Sequence, residues 1–238
     1  VTEVVLETHA LTMRYGGVTA TKSVDFKLYA YELRCLIGPN GAGKSTFFKC
    51  ISGLETPTDG EILMLGSETT FWTAHQIASL GVGIKTQVPS VMDGLTVFEN
   101  IWLAARRQHN TPEANRKTEE ILDRLTLRDI AHRHVGHLAH GERQHVELGL
   151  VAVGDPKIVL LDEPAAGMSS KDIEQMTKII HELNKAAAII IVEHDMQFIQ
   201  SIANRVTVFH RGEILIEDHV DRVMSDPTVR NVYLGKKS

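Results

Sequence analysis

The stretch GPNGAGKST, residues 38–46, decides how the rest of the chain is read. Gly38 to Ser45 match the pattern G-x-x-x-x-G-K-[ST] without a gap, and Thr46 follows. Glycines so placed let successive backbone N–H groups curl inward around an anion. The run Leu33-Arg34-Cys35-Leu36-Ile37 before it reads as a short buried strand. The run Thr46-Phe47-Phe48-Lys49-Cys50-Ile51-Ser52 after it has helical spacing and stops at Gly53. A glycine-rich turn with an incidental lysine needs no such strand–loop–helix joint. A phosphate cradle does, because the helix adds its positive N-terminal end to the loop amides. The expected ligand is a nucleoside triphosphate, with Lys44 on the β- and γ-phosphates and the Ser45 hydroxyl on Mg²⁺.

A magnesium-nucleotide site also needs a carboxylate on a neighbouring strand tip. Ile158-Val159-Leu160-Leu161-Asp162-Glu163-Pro164 supplies one at the carboxyl end of an apolar strand, where ligands bind in open α/β sheets. Asp162 is expected to hold Mg²⁺ and Glu163 to polarise the attacking water. Ala188-Ile189-Ile190-Ile191-Val192 followed by Glu193-His194-Asp195 repeats the arrangement on another strand, so His194 is placed to touch the γ-phosphate. Gln87, after the short strand Val82-Gly83-Ile84, has an amide that could reach Mg²⁺ or the water.

The 238 residues are enough for one sizeable domain with its own core and leave room for a subdomain; 43% are hydrophobic and 23% charged, as in a soluble globular protein. A net charge of −5 gives no whole-molecule attraction to nucleic acid. Cys35 and Cys50 are too few for a disulfide framework or a zinc site, and a reducing compartment is the simpler setting. No apolar stretch approaches the roughly 20 residues that span a bilayer. The opening VTEVVLETHALTMRY has neither a basic segment nor an apolar h-region, so no secretory signal is expected.

Val4-Val5-Leu6, Val24–Leu28 and Glu61–Leu65 read as strands, the last set off by Pro57 and by Asp59-Gly60 as a turn signal. From Thr96 to about Val151 the apolar spacing becomes helical, with a helix start at Thr111-Pro112-Glu113-Ala114. Strand texture returns at 157–161. A helix over 171–185, the strand 188–192 and a helix over 195–203 follow, and then a hairpin of 206–209 and 213–216 around Arg211-Gly212. Apolar strands alternating with helices predict a largely parallel sheet covered on both faces.

Together these residues resemble the nucleotide-binding subunit of an ABC transporter, over nearly the whole chain. Gly38–Thr46 is similar to the family's Walker A, Ile158–Glu163 to its Walker B, Gln87 to its Q-loop and His194 to its switch histidine. Tyr15, in Met13-Arg14-Tyr15-Gly16-Gly17, resembles the aromatic that stacks on adenine. The resemblance implies an α/β P-loop NTPase (RecA-like) core over 1–95 and 152–217, with an N-terminal antiparallel β region. It also implies an inserted helical subdomain over 96–151 and a helical tail over 218–238. ATP and Mg²⁺ are the implied cofactors. Tyr15, Asn40, Gly41, Ala42, Gly43, Lys44, Ser45, Thr46 and Gln87 are the implied nucleotide contacts, with Ser45, Gln87 and Asp162 on the metal and Lys44, Glu163 and His194 catalytic.

The family signature, LSGGQ in its common form, matches Leu138-Ala139-His140-Gly141-Glu142. By resemblance it caps the ATP of an opposing protomer, so two nucleotides are sandwiched in a head-to-tail dimer. Ala139 stands where serine is usual and cannot bond the γ-phosphate, which predicts slower hydrolysis in the opposing site. Ser169, in Pro164-Ala165-Ala166-Gly167-Met168-Ser169, stands where the family's D-loop commonly has aspartate.

Gly94–Asn100, Glu163–Met168, Val192–Met196, Asp226-Pro227 and Val232-Tyr233-Leu234-Gly235 resemble the importers of branched-chain amino acids and the related urea and short-amide importers. That group implies a second ATPase protomer, identical or paralogous, and two integral membrane permease subunits. An extracytoplasmic solute-binding protein would be linked only indirectly, and the chain would sit at the cytoplasmic face of the membrane. A low-turnover regulatory partner subunit and an exporter ATPase are the alternatives. A DNA-repair ATPase fits poorly, because 96–151 is too short for heptad arms.

Overall fold

The computed structural model describes residues 3–234. Gly235, the last residue of the tail pattern, and the end of the segment 218–238 lie outside the described residues. Two sheets and a helical layer make up the fold. Strands β1 (Val4–Tyr15), β2 (Val18–Tyr29), β4 (Asp59–Met64) and β5 (Ser67–Glu68) form an antiparallel sheet in the order β2-β1-β4-β5. Strands β3 (Leu33–Ile37), β6 (Val82–Lys85), β7 (Ile158–Asp162), β8 (Ala188–Val192), β9 (Arg205–His210) and β10 (Glu213–His219) form the second sheet, ordered β10-β9-β3-β8-β7-β6. It is parallel except for the β9–β10 hairpin.

The apolar strands are continuous because both faces of this sheet are covered. Leu36, Leu160 and Ile190 face a core shared with the antiparallel sheet and with Phe47 and Phe48 of α1 (Lys44–Ile51). Cys35, Leu161 and Ile191 face the opposite core, built with helices α3 (Val97–Arg106), α4 (Thr111–Arg124), α5 (His140–Ala152), α6 (Ser170–Asn184) and α7 (Met196–Ile202). Helix α2 (Ala74–Ser79) precedes β6, and α8 (Val220–Ser225) and α9 (Pro227–Leu234) follow the sheet. Arg34 is the polar exception inside β3. Its fully buried guanidinium is bonded to Glu32 and Thr207, paired with Glu217 and stacked 5.2 Å from the Phe26 ring.

The helical spacing from Thr96 onward becomes α3, α4 and α5. Thr96 caps α3 in a reciprocal box with Glu99, and Asn110 caps α4 just before Pro112. The hairpin turn Arg211-Gly212 has φ of 52° and 84°, the double positive pair of a type I′ turn.

Two expectations need correction. Asp59-Gly60 is not a turn: it lies inside β4, where Gly60 has φ 92° opposite a register shift in β1. A Cβ there would sit 2.6 Å from the Ala10 carbonyl oxygen, so the glycine serves a bulge, not a reversal. The first two strands are also much longer than the short segments expected. Each runs 12 residues, and Ala10 and Ser23, with φ of 47° and 50°, interrupt the alternation that would have revealed their length.

Candidate functional site

Parallel register brings the chemistry to one edge. Ile37, Asp162 and Val192 end β3, β7 and β8. Leu36 pairs with Val192, Val192 with Asp162, and Leu161 with Lys85 of β6. The loops leaving these strands therefore carry Gly38–Lys44, Glu163, Glu193-His194 and Gln87 side by side.

Gly38, Gly41 and Gly43 have φ of 147°, 76° and 106°, the backbone freedom a phosphate nest requires. Gly43 is also the N-cap of α1 and offers no side-chain cap, so the first N–H groups of that helix remain open to an anion. The loop is braced from outside by the β9–β10 turn. Gly212 N–H donates to the Ala42 carbonyl at 2.9 Å, and a Cβ on Gly43 would come 2.5 Å from the Ala20 carbonyl oxygen and 3.2 Å from the Gly212 Cα. Lys44 is buried and donates to the Gly38 and Pro39 carbonyls at 2.7 and 3.1 Å. Burial holds its amine below the usual lysine range, against the opposing pull of Glu163 and Asp162.

Asp162 is buried, and its Oδ1 has no hydrogen-bond partner among the described residues. Burial, then the neighbouring Glu163 charge, push its carboxyl up to about 6. A buried carboxylate with an orphaned oxygen fits a divalent cation. Among the described residues no three His, Cys, Asp or Glu side chains gather to hold a metal by themselves. Ser45 is exposed on the first turn of α1, and Gln87 is exposed beyond β6.

Glu163 has φ 47°, left-handed backbone that a non-glycine residue adopts at a cost of order 1–3 kcal/mol. Its N–H donates to the Val192 carbonyl at 2.9 Å, which pins the strained residue to β8. The His194 Nδ1 lies 3.8 Å from Glu163 Oε1 and 3.8 Å from Glu193 Oε2. Tyr15 ends β1, half exposed, with its hydroxyl on the Glu55 carboxylate, which also accepts from Lys49 at 2.9 Å.

The signature stretch stands elsewhere. Leu138 is buried, Ala139 is the N-cap of α5, and His140, Gly141 and Glu142 form its first turn. Among the described residues, the side-chain hydrogen bonds of 138–142 run to Ala166 and Arg133 and none reaches 38–46. His140 Nε2 lies 3.0 Å from the Ala166 carbonyl. Glu142 accepts from the Ala139 N–H at 2.9 Å, half of a capping box whose other half would need a hydroxyl at 139. Gly141 is required by close approach: a Cβ there would meet Asp172 Cγ at 2.4 Å. Ser169 caps α6, accepting from Asp172 N–H and donating to its Oδ2 at 2.6 Å.

Sequence reasoning gave no role to Lys85 and Glu147, a pair at 3.2 Å in which both side chains are about 3% exposed or less. It joins the end of β6 to the middle of α5. The only sequence signal is a charged residue within an apolar run on each element.

Residues 21–166 match the family model described as ABC transporter. The chain is 34% identical, over 97% of its length and 98% of the relative's, to the high-affinity branched-chain amino acid transport ATP-binding protein LivG of Escherichia coli K12. It is 32% identical, over 98% of both, to the high-affinity branched-chain amino acid transport ATP-binding protein BraF of Pseudomonas aeruginosa. The crystal structure of the ADP conformation of MJ1267, an ATP-binding cassette of an ABC transporter, superposes with a TM-score of 0.88 at 25% identity, covering 99% of this chain and all of the other.

Proposed function

The chain belongs to the ABC transporter family and is an ATP-binding, ATP-hydrolysing subunit of that class. On that premise we propose that it powers uptake of a small polar solute, branched-chain amino acids first, with urea and short amides as the related alternatives. Similarity along the whole chain to LivG and BraF, both branched-chain amino acid transport subunits by name, supports that order.

The carrying observation is the convergence of Lys44, Asp162, Glu163 and His194 at the carboxyl ends of β3, β7 and β8. Gly41, Ala42, Gly43, Lys44, Ser45 and Thr46 hold the phosphates through backbone N–H groups, with Asn40 at the loop's rim and Tyr15 against the adenine. Ser45, Asp162 and Gln87 would hold Mg²⁺, whose chemistry there is to neutralise charge on the β- and γ-phosphate oxygens. Glu163 orients a water in line with the γ-phosphate and accepts its proton. Lys44 and His194 stabilise charge on the transferred phosphoryl group.

Leu138, Ala139, His140, Gly141 and Glu142 lack hydrogen bonds to this chain's own phosphate loop, which suits their serving the nucleotide of a second protomer in a head-to-tail pair. The working division is a core of 1–95 and 152–217, a helical unit of 96–151 and a tail of 218–238. The helical unit would dock on the cytoplasmic loops of two permease subunits. No helix among the described residues is long and apolar enough to cross a membrane; in this reading the permease subunits supply the attachment.

The test is the native complex reconstituted in vesicles. Glu163→Gln lowers ATP turnover by about 10²-fold or more while a fluorescent ATP analogue binds as tightly as to the parent. Labelled leucine, urea and acetamide are then offered with the cognate binding protein. Uptake of leucine that stops with Glu163→Gln supports the proposal; equal turnover in parent and variant, or no ATP-driven uptake of any of the three, refutes it.

A further inference from the structure

Glu193 is a charged side chain that the hydrolysis scheme leaves unused, and it is only 1% exposed. A carboxylate so deep usually faces a cation; this one forms no ion pair with Lys or Arg among the described residues, and the one basic group near it is the His194 ring at 3.8 Å. It faces three backbone donors instead. Oε2 accepts from the N–H groups of His194 at 2.9 Å and Asp195 at 3.4 Å. Oε1 accepts from the N–H of Ala165 at 3.2 Å. The first two donors belong to the loop leaving β8. The third belongs to the loop leaving β7, two residues after Glu163.

Each loop is tied separately to its own surroundings. Asp195 turns away to cap α7, accepting from Gln197 and Phe198 at 2.8 and 3.0 Å. Ala166 continues toward the signature, where His140 Nε2 meets its carbonyl at 3.0 Å. Glu193 is thus a cross-brace between a segment that carries the histidine and a segment that runs from Glu163 to the signature turn. Its two oxygens are not interchangeable with an amide. In glutamine one oxygen becomes an NH₂, which would face either the Ala165 donor or the His194 and Asp195 donors, so one side of the brace must open.

We propose that Glu193 is a positioning residue for hydrolysis: its carboxylate clamps the His194 loop to the segment 164–169, so that the two respond to the γ-phosphate as one unit. The clamp rests on the assignment of His194 to the γ-phosphate and extends it to the connection with Ala166 and His140. Energetically the brace acts through a charged acceptor, so opening one side costs more than an ordinary hydrogen bond. Its effect appears in the rate and not in nucleotide capture, because the phosphate loop shares none of its bonds.

The experiment is a double-mutant cycle in the assembled transporter with Glu193→Gln, His194→Ala and both together, reading turnover, the KM for ATP and Tm. Glu193→Gln is expected to lower turnover at saturating ATP by about ten-fold or more and to change KM by less than about three-fold. The double variant is expected to turn over within about three-fold of His194→Ala alone, because both changes disable the same loop. Parental turnover in Glu193→Gln, or losses that multiply in the double variant, would overturn the clamp. So would a loss that tracks a fall in Tm. If Glu193→Gln does not fold, Glu193→Asp keeps the charge but is one methylene too short to span both loops. It must then show the same non-additivity with His194→Ala. Unchanged turnover in His194→Ala by itself would refute the γ-phosphate assignment, and that result is distinguishable from a failure of the clamp.

Discussion

Asp162 makes the free chain less stable than it could be, and removing its charge should show this. Its carboxyl ordinarily titrates near 3.8 and here is pushed up to about 6, chiefly by burial and next by Glu163. The folded value lies above the unfolded one, so the stability contributed by the protonated group is fully present below the unfolded value. It is lost as pH rises through the folded value. Integrating between the two states, ionised Asp162 disfavours folding by about 1 kcal/mol near pH 4.5 and by about 3 kcal/mol near pH 7.5. Asp162→Asn keeps the shape and removes the charge. Without nucleotide, its Tm should exceed that of the parent by about 6–12 °C near pH 7.5, and the gap should narrow to about 2–4 °C near pH 4.5. Adding Mg·ATP should reverse the order, because only the parent gains the metal contact. Thermal melts across that pH range, with and without Mg·ATP, read both effects. A gap that does not change with pH, or a parent that is the more stable protein near pH 7.5 without nucleotide, would refute the claim that burial sets this carboxyl.

Ala139→Ser adds the hydroxyl that both the α5 N-cap and the γ-phosphate lack: chain stability should rise by about 1 kcal/mol in urea melts, and turnover in the complex by about ten- to a hundred-fold. A stability gain without a rate gain would separate the cap from the catalytic contact. Lys44→Ala should weaken binding of a fluorescent ATP analogue by about ten- to a hundred-fold, since it deletes a charge-assisted bond in a buried site; unaltered affinity would contradict the cradle. Glu147→Leu strands the Lys85 ammonium and should cost about 3–5 kcal/mol in urea melts, whereas Lys85→Met with Glu147→Leu should recover most of that loss. A double variant no more stable than the single one would show that the pair is not an isolated buried ion pair.

The strand tips were legible because each carries its chemistry within a few residues of an apolar run. Leu33–Ile37 announces the strand, and the glycines that follow can only serve a loop. Asp162 and His194 stand at the ends of similar runs, and the structure places all three on adjacent strands. Parallel sheets make this inference strong. Strands buried on both faces must be apolar throughout, so a polar residue at the end of one marks where the chain leaves the core. The signature was legible only by resemblance. Ala139 is a poor N-cap, and nothing in the pattern of Ala139, His140 and Glu142 names a ligand.

What escaped depends on partners far away in the chain. Asp59-Gly60 has the composition of a turn, and only the Ala10 carbonyl in β1 shows that the glycine sits in a bulge. The Gly212 turn reads as a hairpin end, yet its amide braces Ala42 in the phosphate loop. Ser169 looks like a missing aspartate, but Asp172 stands one turn on, and the serine caps the helix that presents it to Gly141. Glu193 is the sharpest case. In the sequence it is one acid beside a histidine, as Glu163 is one acid beside Asp162, and the two could be exchanged in a pattern search. Burial separates them: Glu163 is about a third exposed and has the freedom to meet water, whereas Glu193 is sealed under three backbone donors. A carboxylate open to solvent can move a proton, and one sealed from water under backbone donors on both oxygens is placed to hold those donors. The same residue type at two strand tips therefore has two different capacities, and the backbone of the neighbouring loop decides which.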